Sequence, residues 1–156
     1  MEFDLLQHEF WMRKAMELAR TAQSYGEVPV GAVLVRDNQI IGEGCNGPIG
    51  KTDPTAHAEI MAIRQAARTL KNYRLSDSTL YVTVEPCTMC AGALIHARIN
   101  TLVFAALEPR AGAVVSTAQV LDNAALNHKV KVLHGLMAEE SGLLLRSFFA
   151  GRRSQK

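Results

Sequence analysis

Cys87-Thr88-Met89-Cys90 sets two thiols three residues apart, directly after a strand-like run from Thr79 to Glu85 and at the head of an apolar helical pattern from Ala91 to Ile99. That spacing points both side chains to one side of a new helix. In a first helical turn the N–H groups lack partners and the macrodipole favours negative charge, so the thiolate forms that bind metal are stabilised. A soft cation is the natural guest. The other stretch dense in ligand types is His57-Ala58-Glu59, thirty residues upstream and also at a predicted helix start. One neutral imidazole and two thiolates cancel the charge of Zn2+, and three protein ligands leave the fourth tetrahedral position to water, the pattern of a catalytic site. His57, Cys87 and Cys90 are therefore read as metal ligands. Glu59 is read as the general base that takes a proton from the water and passes it on.

The elements that must position these groups follow from periodicity and turn chemistry. Trp11, Ala15, Leu18, Ala19 and Ala22 mark an amphipathic helix over His8 to Tyr25, ended by Gly26. Gly31 to Arg36 and Gln39 to Cys45 form a hairpin around Asp37-Asn38, residue types that tolerate a tight two-residue turn. Asn46 to Asp53 reads as a loop, and Asp53-Pro54 as the start of a helix running to Leu70. Side chains two apart in a helix diverge by about 200°, so His57 and Glu59 serve one site only if His57 stands at or before the first turn. Thr79 to Glu85 is a third strand, Thr88 to Ala97 a helix, and Thr101 to Ala105 a fourth strand parallel to the third. Glu108 to Val115 is a loop, Ser116 with Gln119 a capping box for a short helix, Val130 to Leu133 a fifth strand and Leu136 to Gly151 the last helix. The order predicts a three-layer α/β/α sandwich with a five-stranded mixed sheet.

At 156 residues, 48% of them hydrophobic and 21% charged, the chain fits one domain over 1–156. The sequence shows neither a signal-peptide pattern nor an apolar run long enough to span a membrane, and the cytoplasm is the expected compartment. Three cysteines, two with metal spacing, argue against a disulfide framework. Cys45 is read as a small thiol packed at a strand end, and Met12, Met16, Met61 and Met89 as core. The net charge of +2 permits an anionic partner without demanding one. Arg146, Arg152, Arg153 and Lys156 cluster near the C-terminus, and Arg64, Arg68, Lys71 and Arg74 recur along a helix. Either set could meet phosphates or form a solvated face. Phe148 and Phe149 read first as packing residues of a terminal helix. His8, His96, His128 and His134 lack ligand context.

His57-Ala58-Glu59 followed by Pro86-Cys87-Thr88-Met89-Cys90 resembles the H-x-E and P-C-x-x-C signature already known for zinc-dependent nucleobase deaminases. Val28 to Val33, Asp53 to Glu59, Glu85 to Ala93 and Ile95 to Ile99 are similar, more narrowly, to the bacterial tRNA-specific adenosine deaminases, with likeness from about Glu9 to Arg153. The resemblance implies a cytidine-deaminase-like fold, one Zn2+ per subunit, a homodimer, and conversion of adenosine to inosine at the wobble position of a tRNA anticodon stem-loop. It further implies that Asn46 and the Ala58 N–H hold the target base and that Asn127 lies near the RNA. Glu108, Phe149, Arg152 and Arg153 are candidates for flanking nucleotides. One departure is visible: Glu108 stands where the family has a shorter acid.

Three other readings stay open on the residues. A structural zinc module would use Cys45 as fourth ligand, a C-x-x-C redox protein would leave His57 and Glu59 without a role, and a deaminase of free cytosine, guanine or a nucleotide would share the same zinc residues.

Overall fold

The computed structural model describes residues 2–154, so Lys156 of the C-terminal basic cluster lies outside it. The elements in chain order are α1 (Glu2–Ser24), β1 (Gly31–Arg36), β2 (Gln39–Cys45), α2 (Pro48–Lys51), α3 (Ala58–Leu70), β3 (Thr79–Val84), α4 (Thr88–His96), β4 (Thr101–Ala106), a 3₁₀ turn (Val120–Asp122), β5 (Lys131–His134) and α5 (Ala138–Ser154). The five strands form one sheet in the order β2-β1-β3-β4-β5. β1 runs antiparallel to β2 and β3, while β3, β4 and β5 are mutually parallel. The expected mixed sheet is present, with the β3–α4–β4 crossover joining parallel neighbours.

Side-chain alternation divides the core into two layers. Ala32, Leu34, Leu80, Val82, Leu102 and Phe104 face α3 and α4 on one side of the sheet. Val33, Val35, Tyr81, Val103 and Ala105 face α1 on the other, where Met12 and Ala15 cover them. Burial on both faces explains why β1, β3 and β4 read as nearly continuous apolar runs. Phe104 is wholly buried, and its ring stacks on His134.

The helix that carries the site approaches the sheet through small residues. A side chain on Gly42 would strike the Ala62 carbonyl, and one on Gly44 would come within 2.6 Å of the Ala58 carbonyl. Backbone therefore lies on backbone, and the first turn of α3 sits directly on β2. Gly31 lets α1 approach β1 in the same way, against the Ala15 carbonyl.

Several boundaries differ from those predicted. α1 begins at Glu2, ahead of the apolar repeat, because Leu5 and Leu6 extend the helix by intrinsic propensity while remaining exposed. Asp53-Pro54 does not start α3. The Asp53 carboxylate accepts the N–H and hydroxyl of Thr55 at 2.9 and 2.7 Å, an Asx turn that delays the helix to Ala58. The stretch expected to be loop contains α2, opened by Pro48 and held by Glu27, whose carboxylate accepts the Ile49 and Gly50 N–H groups. Ser116 and Gln119 form no capping box; the Ser116 hydroxyl donates to Glu85 instead. β5 and α5 begin one and two residues later than predicted, the latter after Gly135 and Met137 take positive φ. The hairpin falls where expected, with Asp37 and Asn38 both left-handed at φ 52° and 59°.

Gly44→Ala should cost ~1–3 kcal/mol through overpacking of α3 against β2. Urea denaturation measures the loss. A weakened metal affinity in the same variant should accompany it, since α3 carries His57 and Glu59.

Candidate active site

The site forms where two helices begin. His57 is the N-cap residue of α3, extended at φ −77° and ψ 153°, and so stands outside the helical spiral. That placement removes the divergence of the i, i+2 pair: Glu59, in the first turn, approaches from another direction. Cys87 is the N-cap residue of α4, and Cys90 is its third helical residue, wholly buried. The Ala91 N–H donates to the Cys87 carbonyl at 2.8 Å, which fixes the turn between the two sulfurs.

The ligand atoms of His57, Cys87 and Cys90 lie within 4.8 Å of one another. His57 Nδ1 is 3.6 Å from Cys87 Sγ and 3.5 Å from Cys90 Sγ. A tetrahedral ion with Zn–S near 2.3 Å and Zn–N near 2.05 Å has an S···N edge of about 3.6 Å. The donor set and its spacing thus fit zinc. Cys45, at the end of β2, is not in this cluster, so the four-ligand alternative lacks its fourth ligand.

Hydrogen bonds from Cys90 and His57 bring the Cys87 thiol down to about 3, while the Cys90 thiol is pushed up by the neighbouring Cys87 and by burial. A cation bound by both sulfurs must displace their protons. Hydrogen bonding to Cys87 raises His57. Glu59 is only 4% exposed, and burial raises its carboxyl above the ordinary range. A carboxyl that readily holds a proton suits transfer in both directions.

A cleft of about 1320 Å³ opens over these groups. Asn46, His57, Glu59, Cys87, Glu108, Phe149, Arg152 and Arg153 all line it. Ala58, buried beside it, is the first residue of α3, where a backbone N–H has no helical acceptor. Asn127 lies elsewhere: it is exposed in the loop before β5, next to His128, whose ring bonds the Ile99 carbonyl. Phe149 is 42% exposed and faces the cleft, unlike a packing residue. Met89, read as core, is 36% exposed, because it lies between the inward-facing cysteines on the outer side of α4.

The two basic clusters separate. Arg110 and Arg146 join Arg152 and Arg153 along the cleft. In the other set, Arg64 pairs with Asp53 at 3.7 Å, Arg74 lies over the Tyr73 ring, and none lines the cleft. Arg152 is partly engaged already, donating to the Gly26 carbonyl at 3.4 Å and lying over the Phe148 ring.

Sequence reasoning missed two buried acids. Glu27 holds α2, and with it the segment that follows Asn46. Glu85, 4% exposed, accepts N–H groups from Glu108, Val114, Val115 and Ser116 and the Ser116 hydroxyl. Burial works against its charge, but these donors outweigh it and hold the carboxyl near 2. An acid at the end of an apolar strand, just before Pro86, was the only mark in the sequence.

A mixed sheet between helical layers, with a His/Cys/Cys group and a buried glutamate at two helix N-termini, is the arrangement of cytidine-deaminase-like proteins. The chain belongs to the MafB19-like deaminase family, whose sequence profile matches residues 6–150. A protein of Haemophilus influenzae named tRNA-specific adenosine deaminase is 53% identical over 156 residues, covering 99% of this chain and 88% of that one. A Bacillus subtilis protein of the same name is 39% identical and covers 97% and 94%. A solved structure from studies of A-to-I editing by tRNA:A34 deaminases at the wobble position of transfer RNA is 43% identical, with TM-score 0.85, covering 87% of this chain and 99% of that one. A mutant of NE0047 in complex with 8-azaguanine, 25% identical, has TM-score 0.80 and covers 92% and 84%.

Cys87→Ala should lose metal by elemental analysis, because the remaining imidazole and thiol no longer neutralise a divalent cation. A second prediction concerns Glu85. Its folded pKa lies below the ordinary 4.5, so its contribution is complete above that pH and disappears as pH falls to about 2. The gap corresponds to ~3 kcal/mol. In urea titrations across that window, wild type should lose this much more stability than Glu85→Gln.

Proposed function

We propose that this protein deaminates adenosine to inosine at the wobble position of a tRNA anticodon stem-loop. The observation that carries the reading is the 3.5 and 3.6 Å spacing of His57 Nδ1 from the two sulfurs, with a buried glutamate beside them. Likeness to proteins named for that activity supplies the substrate. His57, Cys87 and Cys90 hold Zn2+. When bound, the zinc supplies Lewis-acid activation of water at neutral pH.

Glu59 carries the protons. Its carboxylate accepts one from the attacking water and delivers it to purine N1 as oxygen adds at C6. It then takes the proton of the new C6 hydroxyl and passes it to the exocyclic amine, which leaves as ammonia as the carbonyl forms. Adenosine and water thus become inosine and ammonia. Asn46, which lines the cleft, and the N–H of Ala58, the first residue of α3, hold the base in register with Glu59.

A base in an anticodon loop is already unpaired, so turning it into the cleft costs less than drawing it from a duplex. Phe149 offers a stacking face, and Arg152 and Arg153 offer charge to the flanking phosphates. Glu108 faces the same cleft, and Asn127 belongs to the RNA surface of the assembled protein. No helix among the described residues is long and apolar enough to cross a membrane. We read the protein as a single domain over 1–156, acting in the cytoplasm as a homodimer with one zinc per subunit.

Incubation with an adenosine-containing anticodon stem-loop beside free adenine, guanine and cytosine tests the substrate. Inosine should appear in the RNA alone; turnover only of free bases would replace this reading with the free-base one. Glu59→Gln should fold and keep its metal while kcat falls by roughly 10²–10⁴, the range for a lost general acid–base. Retained turnover would refute the shuttle.

A further inference from the structure

Two stretches far apart in sequence meet at Glu85. The residue follows directly on β3, and two positions later the chain delivers Cys87 to the head of α4. Its carboxylate also collects the loop between β4 and the 3₁₀ turn. One oxygen accepts the Glu108 N–H at 3.0 Å and the Ser116 hydroxyl at 2.5 Å. The other accepts the Val114, Val115 and Ser116 N–H groups at 3.2, 2.7 and 2.9 Å. Every one of these five bonds runs to the 108–116 segment.

The neighbouring backbone is shaped to the same end. The Ala113 N–H donates to the Pro86 carbonyl at 2.8 Å, and the Gly112 N–H closes a turn onto the Glu108 carbonyl at 2.8 Å. A Cβ on Gly112 would collide with the Glu85 carboxylate itself, so the loop lies directly against the charge. Leu107 to Ala111 of that loop form one wall of the cleft. Buried charges are costly unless fully hydrogen-bonded, and here the compensation comes from a segment that has no regular structure of its own.

We infer that Glu85 is a positioning residue for the substrate: it fixes the cleft wall formed by 107–111 relative to the metal-ligating turn, and so sets the reach of Glu108 and Arg110 toward the nucleotides beside the target base. This rests on the reading of the cleft as an RNA site. Glu85 is outside the His57, Cys87 and Cys90 cluster, and both of its carboxylate oxygens are taken up by the 108–116 loop. It acts through the loop, in the way a hinge pin acts through a door.

Three variants approach the cluster differently. Glu85→Gln replaces the anionic acceptor by an amide whose NH2 faces N–H donors; Ser116→Ala removes the hydroxyl donor and leaves the charge; Gly112→Ala pushes the loop from the opposite side. Ser116→Ala and Gly112→Ala keep the test alive should Glu85→Gln fail to fold. In the zinc-loaded full chain, KM for the stem-loop should rise about tenfold in Glu85→Gln, the scale of losing bonds to a charged group, with a smaller rise in Ser116→Ala. Zinc should stay at one per chain, and amide hydrogen exchange over 108–116 should accelerate while that of β3 does not. Glu108→Ala should weaken stem-loop binding in the wild type but add little in Glu85→Gln, because the loop it acts from is already displaced.

A Glu85→Gln protein with lower thermal stability but wild-type KM, or full additivity with Glu108→Ala, would overturn the inference by making Glu85 a merely structural residue. Wild type that neither binds nor converts the stem-loop would overturn the RNA reading itself, and this inference with it. The two failures are told apart by the wild-type control.

Discussion

Close contact between α3 and the sheet is the constraint on which the rest depends. A ring nitrogen must come within 3.5 and 3.6 Å of two sulfurs from a chain segment thirty residues distant, and neither segment can achieve this alone. Gly42 and Gly44 on β2, facing Ala58, Ala62 and Ala66 on α3, bring backbone to backbone, so the helix start has no freedom to ride up on larger side chains. α4 is fixed separately, by the short β3–α4–β4 crossover and by Ala91 and Leu94 packed into the same core layer. The imidazole and the sulfurs therefore meet as a result of two independent packings. This also explains why two of the three donors, His57 and Cys87, stand at N-cap positions. A residue outside the spiral can aim along the helix axis, which a mid-helix side chain cannot do.

Charge inside the protein is organised by the same logic. Glu59 and Glu85 are both nearly buried, yet their surroundings drive them in opposite directions. Glu59 sits among sulfurs and apolar surface, where few donors reach it and its proton is held more firmly. Glu85 is ringed by N–H groups and keeps its charge far into acid. One environment favours the protonated form and the other the charged form of the same side chain. Around the rim the sign reverses, with Arg110, Arg146, Arg152 and Arg153 lining the cleft. The result is a cleft in which four guanidinium groups share the lining with Glu59, Glu85 and Glu108.

Most of the architecture was legible in the sequence, for identifiable reasons. The hairpin is fixed by Asp37-Asn38, the parallel crossover by strand–helix–strand order, and the site by H-x-E with P-C-x-x-C. What escaped were features whose cause is tertiary. The delayed start of α3 depends on Thr55 choosing Asp53 as its partner, and the absence of a capping box depends on Ser116 choosing Glu85. Local pattern rules assign such side chains to their own segment, and here they serve others. Met89 fails for a simpler reason, since the helical positions between two inward cysteines must point outward. Whether a cluster of arginines faces a cleft or solvent is likewise a property of the folded surface, and the two clusters of this chain went opposite ways.

The anchorage of the 108–116 loop bears on how such a protein can diverge. Its two ends are tied at Glu108 and Ser116 to one carboxylate, with Gly112 pressed against it, so these positions form a unit that tolerates only concerted change. Between the ties, Pro109, Arg110 and Ala111 face the cleft. Changes at those three would alter the face that the cleft presents while leaving the turn that carries Cys87 in place. The separation gives the cleft wall a mount of its own, apart from the cluster of His57, Cys87 and Cys90.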